Sequence, residues 1–368
     1  MKLKDINKKE FEDFCKEQEC DNFFQSKYYA EIKRLEGYYT YFVGLDDNGR
    51  LLGATLLLAK EVVLLKKREF YAPRGIIIDY DNIDLVKEFT NQLVEYTKLK
   101  KGAFIKIKPI INNNIKLVEA LKKIGWHQGN KELLYPREEN LIYRLNLDNI
   151  TIEDLANNLS DKIKKELSEN EKMGISTKKI DKENSSRLID IINGSSYVSD
   201  HLGINYGNYQ EITNILTNHN LLDITVAELD IDKYIDYIKN SDIEEKEEKL
   251  QTSKKLQYEY GHKVILGLTL GVIYNNKYYV LTHAIDRTIE KFNPLITIYW
   301  NTIEESTEKN IKSYNIYEIG NTIEDNKMLE EIKGFNGNII ELIGEFNYIL
   351  NERYYKKSMK KQKKTYSE

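Results

Sequence analysis

Apolar residues recur at helical spacing around Lys8–Glu19 and Ser26–Leu35, and the pattern then changes to strand-like runs over Tyr38–Leu45 and Arg50–Leu65, joined by the turn D-D-N-G. Helical spacing returns at Ile83–Leu99 and at Ile115–Ile124, with a strand expected between them at Ala103–Lys108 and another at Leu141–Leu147. Helices, an antiparallel meander, then helix, strand, helix and strand describe a mixed α/β unit.

The second half repeats the theme. L-L-G-A-T-L-L-L at Leu51–Leu58 matches I-L-G-L-T-L-G-V at Ile265–Val272, and each is followed by a second strand, a long helix and, about fifty residues on, a short strand (A-F-I-K-I-K and N-I-Y-E-I). Two copies of one fold are expected. Between them, Ile152–Lys172 reads as a single charged helix closed by Gly174, on which Lys162, Lys164 and Lys165 form a solvated face or, alternatively, a phosphate contact. Asp230–Tyr260, containing D-I-E-E-K-E-E-K-L, interrupts the second copy ahead of the Ile265 strand and reads as an inserted helical hairpin.

One strand is broken in an unusual place. F-Y-A-P-R-G-I-I-I-D-Y at Phe70–Tyr80 stops at a Pro-Arg-Gly corner and restarts at once. Proline lacks a backbone donor and glycine tolerates backbone angles that other residues avoid, so the break is expected to expose backbone groups. An ordinary bulge with Arg74 in solvent is the alternative.

Composition narrows the function classes. With 55 basic and 59 acidic side chains the net charge is −4, which supplies no global basic field for nucleic acid. The local exception is R-Y-Y-K-K-S-M-K-K-Q-K-K at Arg353–Lys364, a patch for RNA phosphate or an anionic membrane face, or else a frayed solubilising tail. The start M-K-L-K-D-I-N-K-K-E has no signal-peptide core and the apolar run near Val264–Tyr274 is too short to span a bilayer, so a cytoplasmic protein is expected. Cys15 and Cys20, placed on one helical segment, read as free thiols, and the five histidines offer no metal-ligand spacing. No metal is therefore expected.

The motifs for nucleotide hydrolysis, hydride transfer, zinc hydrolysis and a nucleophile elbow are all missing. Two mixed α/β copies of this element order resemble tandem acetyltransferase-like (GNAT) domains, yet neither copy carries the glycine-rich loop that cradles a coenzyme A pyrophosphate. The acyl donor is therefore not expected to be an acyl-CoA, and no cofactor is expected.

F-F-Q-S-K-Y-Y-A-E-I-K at Phe23–Lys33, Y-A-P-R-G at Tyr71–Gly75, I-K-I-K-P ending at Pro109, K-I-K-K-E-L-S-E-N-E-K-M-G-I, E-I-K-G-F-N-G and I-E-L-I-G-E-F at Ile340–Phe346 together resemble the Fem family of peptidoglycan aminoacyltransferases. The resemblance runs in order along nearly the whole chain. It implies transfer of an amino acid from aminoacyl-tRNA to an amine of a cell-wall precursor's stem peptide or growing cross-bridge. It also implies two GNAT-like domains, here over residues 1–148 and 149–345 with the helical insertion at about 230–260, and a segment 346–368 that returns to the first domain. The implied partners are aminoacyl-tRNA and a lipid-linked or nucleotide-linked muropeptide, with peripheral contact at the inner membrane face and a Fem-like partner chain as further expectations.

Amine attack on an ester needs alignment, proton removal and stabilisation of a tetrahedral oxyanion. By resemblance Lys333 supplies the positive charge, the carbonyl of Ile332 orients the amine, Tyr279 passes a proton, and Lys33 and Tyr209 hold the precursor. Read without the resemblance, Lys333 is a helix C-terminal cation ahead of Gly334, Lys33 an exposed helical lysine, and the two tyrosines ordinary. Arg74 lies by resemblance beside the substrate cleft, where its corner is expected to offer donors to a sugar or phosphate. Three positions depart from the family pattern: Lys108 replaces an acid near the cleft, Asn205 an arginine that grips phosphate, and Leu281 a second tyrosine. They leave two alternatives open, a non-catalytic Fem-like binding subunit and an acyltransferase for another wall amine.

Overall fold

In a computed structural model the chain is described over residues 1–20, 22–62, 66–129, 141–180, 185–194, 199–200, 204–205, 207–286, 289, 292–317 and 327–365. The expected strand ends at residues 63–65 and 318–319 lie outside these. The chain forms two compact units, Met1–Leu141 with Ile340–Glu368, and Ile142–Ile339.

In the first unit, β1 (Lys2–Asp5) and α1 (Lys8–Glu17) lead to α2 (Lys27–Leu35), and then to β2 (Tyr39–Asp47), β3 (Arg50–Val62), β4 (Lys67–Ala72) and β5 (Ile77–Ile78). α3 (Ile83–Leu99), β6 (Gly102–Ile107), α4 (Ile115–Ile124) and β7 (His127–Gln128) follow. The second unit runs β8 (Leu141–Asn146), α5 (Ile152–Asn158), α6 (Asp161–Lys172), β9 (Ile175–Lys179), α7 (Ser185–Gly194), β10 (Ser199–Asp200) and α8 (Tyr209–Asn218). Next come β11 (Leu222–Asp230), α9 (Ile231–Asn240), α10 (Lys246–Tyr260), β12 (Lys263–Tyr274), β13 (Lys277–Ile285), α11 (Pro294–Glu308), β14 (Ser313–Tyr317), α12 (Lys327–Ile332) and β15 (Asn338–Glu341). The chain ends in β16 (Phe346–Ile349) and α13 (Glu352–Thr365), which belong to the first unit.

The duplication read from the two matching strands is visible as topology. β2, β3 and β4 pair antiparallel, and β6 returns parallel to β4 through the crossover helix α3. In the second unit β11, β12 and β13 pair antiparallel, and β14 returns parallel to β13 through α11. Leu51–Leu58 and Ile265–Val272 lie in the equivalent central strands β3 and β12. The protein is thus a mixed α/β molecule of two tandem GNAT-like domains, and the α9–α10 hairpin sits between β11 and β12 of the second. Each sheet is extended beyond its parallel strand, by β16 beside β6 and by β8 beside β14.

Local chemistry explains the boundaries. The D-D-N-G turn closes β2 on β3 because Asn48 (φ 53°) and Gly49 (φ 91°) both adopt the left-handed region that a tight hairpin requires. α3 starts where the Asn82 side chain accepts from Leu85 N at 3.0 Å, and it buries Val86, Phe89, Leu93 and Val94 on one face against the sheet. Trp126 completes that core, its indole N–H donating to Thr90 Oγ1 at 3.0 Å. Burying each such side chain is worth roughly 1.5–3 kcal/mol.

Three expectations are corrected. Ile152–Lys172 is not one helix: it breaks at Leu159–Ser160, where Ser160 Oγ accepts from Ile163 N and starts α6. Cys20 lies beyond the end of α1, outside the helix that buries Cys15, and the two are not joined in a disulfide. The basic tail is not frayed, since Tyr354 and Met359 of α13 are buried against Ala103 and Phe104.

Candidate active site

In the first unit the F-F-Q segment folds as a 3-10 turn, Phe23–Gln25, capped by Asn22, whose Oδ1 accepts from Phe24 N at 3.0 Å. The same Asn22 donates through Nδ2 to the carbonyl of Arg74 at 3.0 Å, and Gln25 Nε2 donates to the carbonyl of Pro73. Gln25 Oε1 accepts from Leu56 N at 2.7 Å and from Thr55 Oγ1 at 3.2 Å. Buried Gln25 therefore rivets the Pro-Arg-Gly corner to β3. A side chain at Gly75 would come within 2.7 Å of Thr55 Oγ1 and 2.8 Å of Gln25 Nε2, which is why glycine is needed there.

The corner does not offer its backbone to a ligand as expected. Its carbonyls accept from Asn22 and Gln25, Gly75 N donates to Ala72 O at 3.4 Å, and Ile76 N donates to Tyr80 OH at 3.2 Å. Arg74 itself sits at φ 53° and is only 4 % exposed, so the solvent-facing alternative is corrected too.

Arg74 and Lys33 are bracketed by one aromatic pair. The Arg74 guanidinium lies 5.7 Å from the centre of the Phe24 ring, Phe24 meets Tyr29 edge-on at 5.2 Å, and Lys33 Nζ lies 5.1 Å from the Tyr29 ring. Lys33 is not an exposed lysine: its side chain is 11 % exposed and pairs with Glu36. Burial opposes its charge, but the Tyr29 ring hydroxyl and the Glu36 carboxylate outweigh that cost and hold its pKa above the ordinary lysine range. Lys33 is thereby fixed in place and stays charged at neutral pH.

Lys108 departs from expectation, because it is wholly buried directly after β6 and presents no charge at the surface. Sequence reasoning also missed the neighbouring Lys106–Glu345 ion pair, at 3.0 Å with side-chain exposures of 15 % and 3 %. Asn347 Nδ2 donates to the same carboxylate at 2.7 Å. Glu345 stood in the quoted I-E-L-I-G-E-F stretch, and its place directly ahead of the apolar start of β16 at Phe346 was the available signal.

In the second unit α12 ends at fully buried Ile332, and the chain turns through Lys333–Phe335 with Lys333 exposed. The turn is pinned from both sides. Gly334 O accepts from Ser160 N at 2.9 Å, and Lys333 O accepts from Asn336 N at 3.0 Å. A Cβ on Gly334 would lie 2.6 Å from Ser160 Oγ and closer still to Ile163 Cγ1, so the turn is seated directly on the first residues of α6. Phe335, 3 % exposed, packs edge-on to Tyr299 with ring centres 6.5 Å apart.

Tyr279 is buried in β13, opposite Val272 of β12 and Asn315 of β14, and Leu281 beyond it is fully buried. Tyr209 opens α8 and is 2 % exposed; among the described residues its hydroxyl has no hydrogen-bond partner, and burial pushes its pKa up to about 12. Asn205 serves the backbone: its Oδ1 accepts from Gly207 N at 2.8 Å and its carbonyl accepts from Tyr209 N at 3.0 Å. It is exposed and sets the entry to α8, so it acts where Tyr209 is positioned. The structure thus gathers Lys33 and Arg74 on one aromatic pair in the first unit, joins Ile332 and Lys333 in one turn, and links Asn205 to Tyr209 in the second.

Two tandem GNAT-like units, one presenting an exposed lysine on a pinned turn, define an acyl-transfer scaffold of a recognisable kind. The chain belongs to the FemAB family, whose model matches residues 6–255 and 239–362. It is 24 % identical to aminoacyltransferase FemA of Staphylococcus aureus over an alignment of 411 residues, covering 96 % of this chain and 97 % of FemA. Among solved structures, FemX superposes with a TM-score of 0.72 at 19 % identity, over 98 % of this chain and 100 % of FemX. A tandem GNAT protein from the clavulanic acid biosynthesis pathway superposes with a TM-score of 0.52 at 8 % identity, covering 84 % of this chain and 82 % of that one.

Proposed function

We propose that this protein is an aminoacyltransferase that moves an amino acid from aminoacyl-tRNA to an amine of a peptidoglycan precursor. The observation that carries the reading is the likeness to FemA along nearly the full length of both chains. In the proposed reaction the neutral acceptor amine attacks the ester carbonyl, the carbonyl oxygen takes up the electron pair, and collapse of the tetrahedral species forms the amide and expels the ribose oxygen. The proton lost by the amine goes to that oxygen, with Tyr279 as the relay. Lys333 stabilises the oxyanion, because an ammonium held on a pinned turn needs no reorganisation as charge develops. The carbonyl of Ile332 orients the amine, and Lys33, Arg74 and Tyr209 hold the phosphate-bearing precursor. Charged tRNA and such a precursor meet in the cytoplasm, and among the described residues no helix is long and apolar enough to cross a membrane.

The test is incubation of the purified protein with a pool of charged tRNAs and lipid-linked or nucleotide-linked precursor, with detection of a new amide by mass spectrometry. Lys333→Ala is expected to lower kcat by about 10²–10³-fold, the usual cost of one oxyanion donor, with melting unchanged. An unaltered rate would remove Lys333 from the mechanism. Precursor binding without turnover on any charged tRNA would show a binding subunit instead.

A further inference from the structure

α13 places seven basic residues and one acid, Glu352, in fourteen positions. Taking those seven cations and one carboxylate from 55 and 59 leaves the rest of the chain at −10, so the helix is a local positive strip on an acidic molecule. Its two faces have separate jobs. Tyr354 and Met359 are buried against Ala103 and Phe104, Tyr355 meets Phe104 at 5.2 Å, and Ser358 Oγ donates to Glu69. Arg353, Lys356, Lys357 and Lys360 are exposed. Among the described residues, Lys356 pairs with Glu352 at 3.0 Å, a pair that is solvent-exposed on both sides and readily exchanged.

We infer that the outer face of α13 is a docking strip for the phosphate backbone of a structured RNA; that this RNA is the donor tRNA rests on the function proposed above. Neighbouring cations three or four residues apart on a helix lie roughly 5–6 Å from one another, and fourteen residues extend about 21 Å, so the strip is long and one helix wide. A polynucleotide arm can touch such a stripe alone. An in-plane amphipathic helix at a membrane needs a free apolar face to enter the headgroup layer. Here that face is spent on the first unit's sheet. The inward-facing tyrosines leave no exposed ring on this helix for base stacking, so recognition is of phosphate and not of base sequence.

The experiment uses the full chain and uncharged bulk tRNA, with anisotropy read across about 50–200 mM salt. Lys356→Ala/Lys357→Ala/Lys360→Ala is expected to weaken binding about tenfold or more and to reduce the slope of log K against log salt by about 2–3, equally for tRNAs of different sequence. The corresponding triple Arg variant is expected to bind as the wild type, and equal melting of the two triples excludes misfolding as the cause. Unchanged affinity and slope in the alanine variant would overturn the inference. So would loss of binding to vesicles containing an anionic phospholipid with tRNA affinity intact. Because the probe carries no amino acid, a wild-type protein that binds it through the strip but forms no amide would overturn the proposed function and leave the strip standing.

Discussion

At the scale of single residues, the informative groups are those the fold holds at a cost. Tyr209 buries a hydroxyl that no described residue satisfies, whereas Thr213 directly above it bonds back to the Tyr209 carbonyl at 2.8 Å. An unsatisfied buried hydroxyl lowers stability, and a site can tolerate that cost if a ligand supplies the partner. Tyr209→Phe is therefore expected to leave stability at neutral pH unchanged or raised by up to about 1 kcal/mol while weakening precursor binding. Calorimetric melting and a KM measurement separate the two effects; a destabilised variant would mean that the hydroxyl already has its partner in the free protein. The pH sign follows from burial. With the folded pKa pushed up to about 12 and the unfolded value near 10, the unfolded state loses its proton first, so the contribution is intact below pH 10 and falls away between 10 and 12. In the phenylalanine variant the alkaline loss of stability over that window is expected to be shallower.

At the scale of elements, the Lys333 turn is built by contact between the end of α12 and the start of α6. Gly334 has no room for a side chain against Ser160 and Ile163, so Gly334→Ala must push the Lys333 turn away from α6. Overpacking of this kind costs about 1–3 kcal/mol, and kcat is expected to fall because the ammonium moves. Ile163→Ala in the same chain opens space at the clash and is expected to restore part of kcat, although it lowers stability by itself. A double-mutant cycle on rate and on melting reads the coupling, and additive effects would mean that the turn does not rest on Ile163. This junction also shows what sequence could and could not disclose. α3 and α4 were legible to their end residues, since an asparagine cap opens each and apolar spacing persists within each. The break at Leu159–Ser160 was not, because its cause includes the Ser160 N–H bond to Gly334, 174 positions away in the chain. The Pro-Arg-Gly corner has the same history: its partners Asn22 and Gln25 lie some fifty residues upstream, and local pattern carries no trace of them. Lys33, Tyr209, Tyr279 and Lys333 had ordinary local readings, so resemblance alone singled them out as chemistry-bearing residues.

At the scale of the whole molecule, the chain is divided unequally between its two units. The second is continuous over Ile142–Ile339, whereas the first is finished only when Ile340–Glu368 has been made. β16 stands between β6 and β7 and pairs with both, and Phe346 and Ile343 are buried in the core that also holds Phe89, Leu93 and Trp126. Ending the chain at residue 339 would strip β6 of one neighbour, orphan β7, and remove two apolar side chains worth roughly 1.5–3 kcal/mol each, along with the α13 contacts. A loss of that size approaches the total stability of an ordinary domain. The truncated chain is expected to lose hydrogen-exchange protection in β4, β6 and α3 while α11 and β12 remain protected. Adding the Ile340–Glu368 peptide in trans is expected to restore protection in the first group, since the strand needs only to pair and not to be covalently joined. Full protection of β6 in the truncated chain without peptide would show that the first unit closes its core unaided and that the returning strand is an accessory.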